Sequence, residues 1–145
     1  MTSSHHSLPR VAQLLGYAGL IPFIALAVMA VALSPSDQAL AAFALRAYAV
    51  TIVSFLGAIH WGFAMRHTPT DTPLFAWGVA PSLLGWIALL VLPALGSLLL
   101  AATLWLCFVV DRRVYPRYGL QEWLRMRLVL TVVASAACVV GGGVF

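Results

Sequence analysis

The chain has 145 residues, 63% of them hydrophobic and only 8% charged, and its mean hydropathy is +1.01. Soluble domains carry about 25% charged residues, and a fold this small cannot hide so much apolar surface from water. A water-soluble globule is therefore excluded and lipid is the expected solvent, while the net charge of +4 sits on arginines at the ends of apolar runs, a placement that argues against nucleic acid as a partner.

After a polar start, the first apolar run predicts a helix at about residues 11–33, long enough to span a hydrocarbon core of about 30 Å. Arg10 before it and Ala30-Val31-Ala32 near its end resemble a signal peptide, but the run exceeds the roughly 7–15 residues of such a segment, so a retained span is expected. Ser34-Pro35-Ser36-Asp37 reads as a turn, and a second helix follows at about 40–65. The polar connector 66–73 leads to a third helix at about 74–92. Pro93 and Gly96 then separate two apolar segments of near-spanning length, which favours a hairpin over one long helix and places the fourth helix at about 94–111. A polar stretch precedes a fifth helix at about 123–144. The expected fold is an all-α integral membrane protein, a single bundle of five transmembrane helices.

Arginine placement sets the expected orientation. With five crossings, Arg10, Arg66, Arg112, Arg113, Arg117, Arg125 and Arg127 share one side and Arg46 alone marks the other. By the positive-inside rule the N-terminus is cytoplasmic and the C-terminus periplasmic, in a bacterial inner membrane, or the mitochondrial inner membrane in a eukaryote. Trp61, Trp77 and Trp123 lie near the arginine-rich boundary and read as an interfacial belt. Arg66, Arg112, Arg113, Arg117, Arg125 and Arg127 are expected at lipid headgroups, each contributing about 1 kcal/mol near an anionic surface, or against an acidic partner.

His60 lies six residues before Arg66, roughly 9 Å inside that boundary. An ionisable group at such depth is either a packing histidine hydrogen-bonded to a neighbouring helix or part of a functional site. Haem would need a second histidine at depth, and His5, His6 and His67 lie outside the apolar runs. No zinc motif occurs, and Cys107 and Cys138 fall at different depths, so no metal, disulfide or cofactor is assigned. Asp111, at the expected end of the fourth helix, has Arg112 and Arg113 as its nearest partners; the alternative is an Asp111–His60 pair serving as a proton relay or ligand clamp.

Ser54, Ala58 and Gly62, with Gly57 beside them, form a small-residue seam suited to close helix packing within the chain or in a dimer. Arg46, Val50, Val53, Gly57 and His60 form a second stripe on the same helix. His60, Trp61, Ser54, Gly57, Asp111 and Trp105 are the candidate ligand or interface residues, and Pro22 and Pro81 are irregularities around which a pocket can open between helices.

The segments 15–23, 54–62 (ending His60-Trp61-Gly62), 77–86 and Asp111-Arg112-Arg113 resemble the signature of the DUF3429 family, which includes the transmembrane-protein-69-like proteins. The resemblance covers nearly the whole chain and implies an inner-membrane protein; it brings no activity and no catalytic residues. No nucleophile with its base, paired carboxylates or phosphate loop is present, so an enzyme is not expected. The expected function is an accessory or assembly subunit of a larger, energy-transducing membrane complex. The alternatives are a binder of quinone, lipid or tetrapyrrole near His60, and then an oligomeric transporter. Expected partners are membrane lipids, subunits of such a complex, or further copies of the chain.

Overall fold

The computed structural model describes residues 7–66 and 71–143, so His5, His6 and His67 lie outside the described residues, as does the expected end of the last helix at 144. The elements are α1 (Arg10–Ala18), α2 (Leu20–Ala32), α3 (Pro35–Arg66), α4 (Thr72–Leu90), α5 (Pro93–Val114), a 3-10 turn (Tyr115–Tyr118) and α6 (Trp123–Gly142). They make five stretches long and apolar enough to cross a membrane, α1 and α2 together forming the first.

Each boundary has a local cause. Pro22 has no N–H to give Ala18, and its ring crowds that carbonyl, so the first span breaks at Gly19. The Tyr48 hydroxyl donates to the Gly19 carbonyl at 2.9 Å, which occupies an acceptor at the break. Ser34 donates to the Asp37 carboxylate at 2.6 Å and its carbonyl accepts from the Gln38 N–H at 2.8 Å, so α3 begins at Pro35 instead of near residue 40. Pro73 and Pro93 stand in the first turns of α4 and α5, where a missing N–H does no harm. Gly119 takes φ +70°, the left-handed conformation that lets the chain turn from the 3-10 segment towards α6.

Helix α3 is the hub, packing on α2, α4, α5 and α6. At about 1.5 Å per residue its 32 residues reach roughly 48 Å, well beyond a bilayer core of about 30 Å, so it tilts or projects. Its contact with α4 is close because both surfaces lack side chains there: a Cβ at Gly57 would strike the Gly78 carbonyl, and one at Gly78 would strike the Trp61 ring.

The burial pattern is that of a protein dissolved in lipid. Leu14, Ile21, Phe55, Leu83, Trp86, Leu98 and Val140 point outward, and the interior holds Arg46, His60, Asp111, Arg127, Thr131 and Ser135 beside Phe23, Leu45, Val53, Leu100 and Leu104. Exposed apolar side chains suit hydrocarbon, whereas polar groups there need partners inside the bundle. The chain is a multi-pass membrane protein.

Candidate binding site

Three helical stripes converge near the arginine-rich end. On α6, Arg127, Thr131 and Ser135 recur every four residues and all three are buried. On α5, Leu100, Leu104, Cys107 and Asp111 form a buried stripe of alternating three- and four-residue steps. On α3, Val53, Gly57 and His60 face inward.

Helix α5 continues to Val114, so Asp111 sits inside it and is fully buried, while Arg112 and Arg113 point outward. One carboxylate oxygen of Asp111 accepts from Arg127 Nε at 2.8 Å, and the other stands 3.2 Å from His60 Nε2. The second contact is an ion-pair approach with a bent angle, short of a formed hydrogen bond. His60 Nδ1 lies 3.2 Å from the Leu56 carbonyl oxygen one turn back on α3. Arg127, expected among the headgroup arginines, thus turns inward, because Asp111 one helix away offers it a charged acceptor in a dry interior. A lone ion buried there costs several kcal/mol, so each member of this group is stabilised by the others.

Aromatic rings surround the histidine. Phe63 and Trp77 approach edge-on with centroids 5.8 and 6.4 Å away, and Tyr115 lies tilted at 6.3 Å. Trp77, expected in the interfacial belt, is half-buried against His60, and its indole nitrogen finds no acceptor among the described residues. Tyr115 is buried beside the Arg127 guanidinium.

On the other side of Arg127 a cavity of about 150 Å³ opens between α1, α2, α3, α5 and α6. Its wall is mostly apolar, with Gly16, Leu20, Phe23, Leu56 and Leu104 among its residues, and only Arg127 and Thr131 bring polar side chains. Arg127 Nη2 and Thr131 Oγ1 are buried and have no hydrogen-bond partner among the described residues. Such orphaned groups cost about 1–3 kcal/mol each, more for a charged one. Both residues line a space large enough for a benzene-sized group.

A family model described as "Protein of unknown function (DUF3429)" matches residues 8–142. The chain belongs to the DUF3429 family. Among its relatives are proteins named Transmembrane protein 69. The one from Xenopus tropicalis is 34% identical over 134 residues, covering 87% of this chain and 51% of its own. The one from Mus musculus is 29% identical over 136 residues, covering 91% and 55%. The chain therefore spans about half the length of the curated relatives it matches. No solved structure matches it.

In this DUF3429 protein the remaining candidates scatter. Gly57 is used in the α3–α4 contact, whereas Ser54 is half-buried and Ala58 and Gly62 face outward, so the small-residue seam lies mostly on the outer surface of α3. Trp61 lies on the surface and its indole N–H donates to the Phe75 carbonyl at 2.8 Å, tying α3 to α4. Trp105 is also partly exposed and donates to Ser135 Oγ at 3.0 Å. Arg66, Arg112, Arg113, Arg117 and Arg125 are exposed. Among the described residues, no three histidine, cysteine or acidic side chains gather as a metal site. Sequence reasoning misses Thr131, although its four-residue spacing from Arg127 and Ser135 in an otherwise apolar helix is a signal that points to it.

Proposed function

We propose that this protein binds a small amphipathic molecule from within the membrane, seating an apolar segment in the cavity and a hydrogen-bond-accepting head against Arg127 and Thr131. The observation that carries this reading is that Arg127 and Thr131, each with a buried polar atom lacking a partner among the described residues, are the two polar residues lining an otherwise apolar space. An occupant with a carbonyl or carboxylate oxygen gives both a partner. The cavity of about 150 Å³ suits a single chain or one small ring, so quinone and lipid remain fitting classes and a tetrapyrrole does not. Arg127 is oriented for the task by Asp111, which holds its Nε. The positive-inside bias supports a cytoplasmic or matrix-facing arginine-rich end in an inner membrane.

Native mass spectrometry of the protein taken from its own membranes tests this. A bound small molecule is expected, and Ala134→Leu, which adds bulk to the cavity wall while keeping Arg127 and Thr131, is expected to displace it. Protein free of adduct, or an adduct indifferent to Ala134→Leu, sinks the reading.

A second reading, an accessory subunit of a larger complex, draws on the outward Ala58 and Gly62, since nothing lies within 4 Å of where a Gly62 Cβ would stand. It predicts comigration with a larger assembly in native gels; migration as a lone chain or homo-oligomer counts against it.

A further inference from the structure

Arg46 stands at the end of the bundle opposite the other arginines, and its charge has no counterpart there. The residue is only 8% exposed, and no hydrogen bond or ion pair reaches it among the described residues. Its stem lies against the first turn of α5. Cδ is 3.6 Å from where a Gly96 Cβ would stand, a position that also meets the Ala88 carbonyl in the last turn of α4. Phe43, one turn earlier on α3, sets its ring centroid 6.0 Å from the guanidinium carbon, a weak cation contact. Nε is shut away without an acceptor, whereas Nη1 and Nη2 are not shut away and remain open donors. An arginine keeps its charge at every working pH. Asp37, the carboxylate of that end, lies nine residues away on α3, roughly 14 Å, and accepts from Ser34.

The start of α5 adds to the positive side. Its Gly96 N–H bonds the Leu92 carbonyl at 2.8 Å, which leaves the Ala94 and Leu95 N–H groups without an acceptor among the described residues, and no side chain caps the helix. Two measures set the depth of this group. Arg46 precedes Arg66 by twenty residues on one helix, roughly 30 Å, the thickness of a hydrocarbon core. Unpaired peptide groups where α4 gives way to α5 cannot lie in hydrocarbon, so that connection also marks the edge of the core. Lipid phosphates stand at this level, and exposed Leu90, Leu92 and Leu95 offer acyl chains an apolar flank.

We propose that Arg46 and the start of α5 form a site for the phosphate of a phospholipid in the leaflet opposite the arginine-rich end. The Nη groups donate to the phosphate oxygens, a charge-assisted contact that gives the buried cation its counter-ion. The site is separate from the cavity beside Arg127, whose lining includes neither Arg46 nor α5's first turn, and it stands independently of the binding reading above.

The test is native mass spectrometry of the full chain in a neutral maltoside detergent. The chain is titrated with dioleoylphosphatidylglycerol, with dioleoylglycerol, which has the same chains and no phosphate, and with inorganic phosphate. The first phospholipid is expected to bind at least tenfold more tightly than dioleoylglycerol. Arg46→Gln is expected to weaken it at least tenfold, and Arg113→Gln, at the opposite end, less than threefold. Arg46→Gln removes a buried unpaired charge and should melt no lower than wild type. Ala94→Asp gives a second variant: an acid at this exposed first-turn position suits the helix but repels phosphate, so it should weaken the first binding as well. Dioleoylglycerol held as tightly as the phospholipid overturns the phosphate assignment. Phospholipid binding that both Arg46→Gln and Ala94→Asp leave unchanged overturns the site. Inorganic phosphate that displaces the lipid overturns the lipid source and leaves an anion site.

Discussion

Neutralising Asp111 is the most direct probe of the buried charge group. Asp111→Asn is nearly isosteric and keeps an oxygen for Arg127 Nε, so the change isolates the loss of charge. Asp111 is wholly buried, at 2.8 Å from Arg127 and 3.2 Å from His60. Removing one partner of a buried pair leaves the other charge unpaired and costs about 3–5 kcal/mol. At roughly 2–4 °C per kcal/mol for chains near this length, the melting temperature should fall by on the order of 10 °C. The protein carries its own reporters, since Cys107 and Cys138 are free and buried and become available to a fluorogenic maleimide only on unfolding. Adding Arg127→Met to Asp111→Asn removes the stranded charge and should recover most of the loss, as replacing a whole buried pair by apolar groups is often neutral. Arg112→Ala and Arg113→Ala, both at exposed positions, should stay within about 0.5 kcal/mol of wild type. The reasoning is refuted if Asp111→Asn melts like wild type, or if the double variant melts lower than Asp111→Asn alone.

Other outcomes are expected. Gly78→Ala drives a methyl group into the Trp61 ring and should cost about 1–3 kcal/mol in the same melt, whereas Gly62→Ala meets no neighbour and should be neutral or gain up to about 1 kcal/mol. Trp105→Phe should cost about 0.5–1.5 kcal/mol, and a double-mutant cycle with Ser135→Ala should show coupling of that size if their hydrogen bond is the cause. A cysteine at Gln121 should react with a membrane-impermeant maleimide only from the cytoplasmic or matrix face, and one at Ser36 only from the other; the reverse pattern overturns the orientation.

The five spans are legible in the sequence because an apolar run long enough to cross a bilayer is hard to place anywhere but in lipid. Side-chain direction is less so. Arg127 groups with Arg125 by its place at a helix end, yet two residues apart on a helix is about 200° of rotation, and one points out while the other points in. The Asp111–His60 proximity is visible as an alternative from depth alone, since both lie within a few turns of one boundary. Choosing it over Arg112 or Arg113 needs the continuation of α5 to Val114, which places Asp111 on an inward stripe. The cavity is legible only as the irregularity at Pro22, around which a pocket can open, and its lining is not. It lies beside the break that Pro22 makes in the first span at Gly19, and its lining results from where five separate segments come to rest.

That break also divides the molecule by local stability. Helix α1 buries none of its nine residues, whereas α2 seats Phe23, Ala27 and Ala30 in the bundle. Opening free energy scales with what a segment buries, so α1 unfastens at a small fraction of the global cost. Spin labels should therefore report two tiers of mobility along one transmembrane stretch, higher at Leu14 and Tyr17 than at Ile24 and Val28. That loosely held segment also supplies Leu15 and Gly16 to the cavity wall, so the wall is weakest on the side of α1.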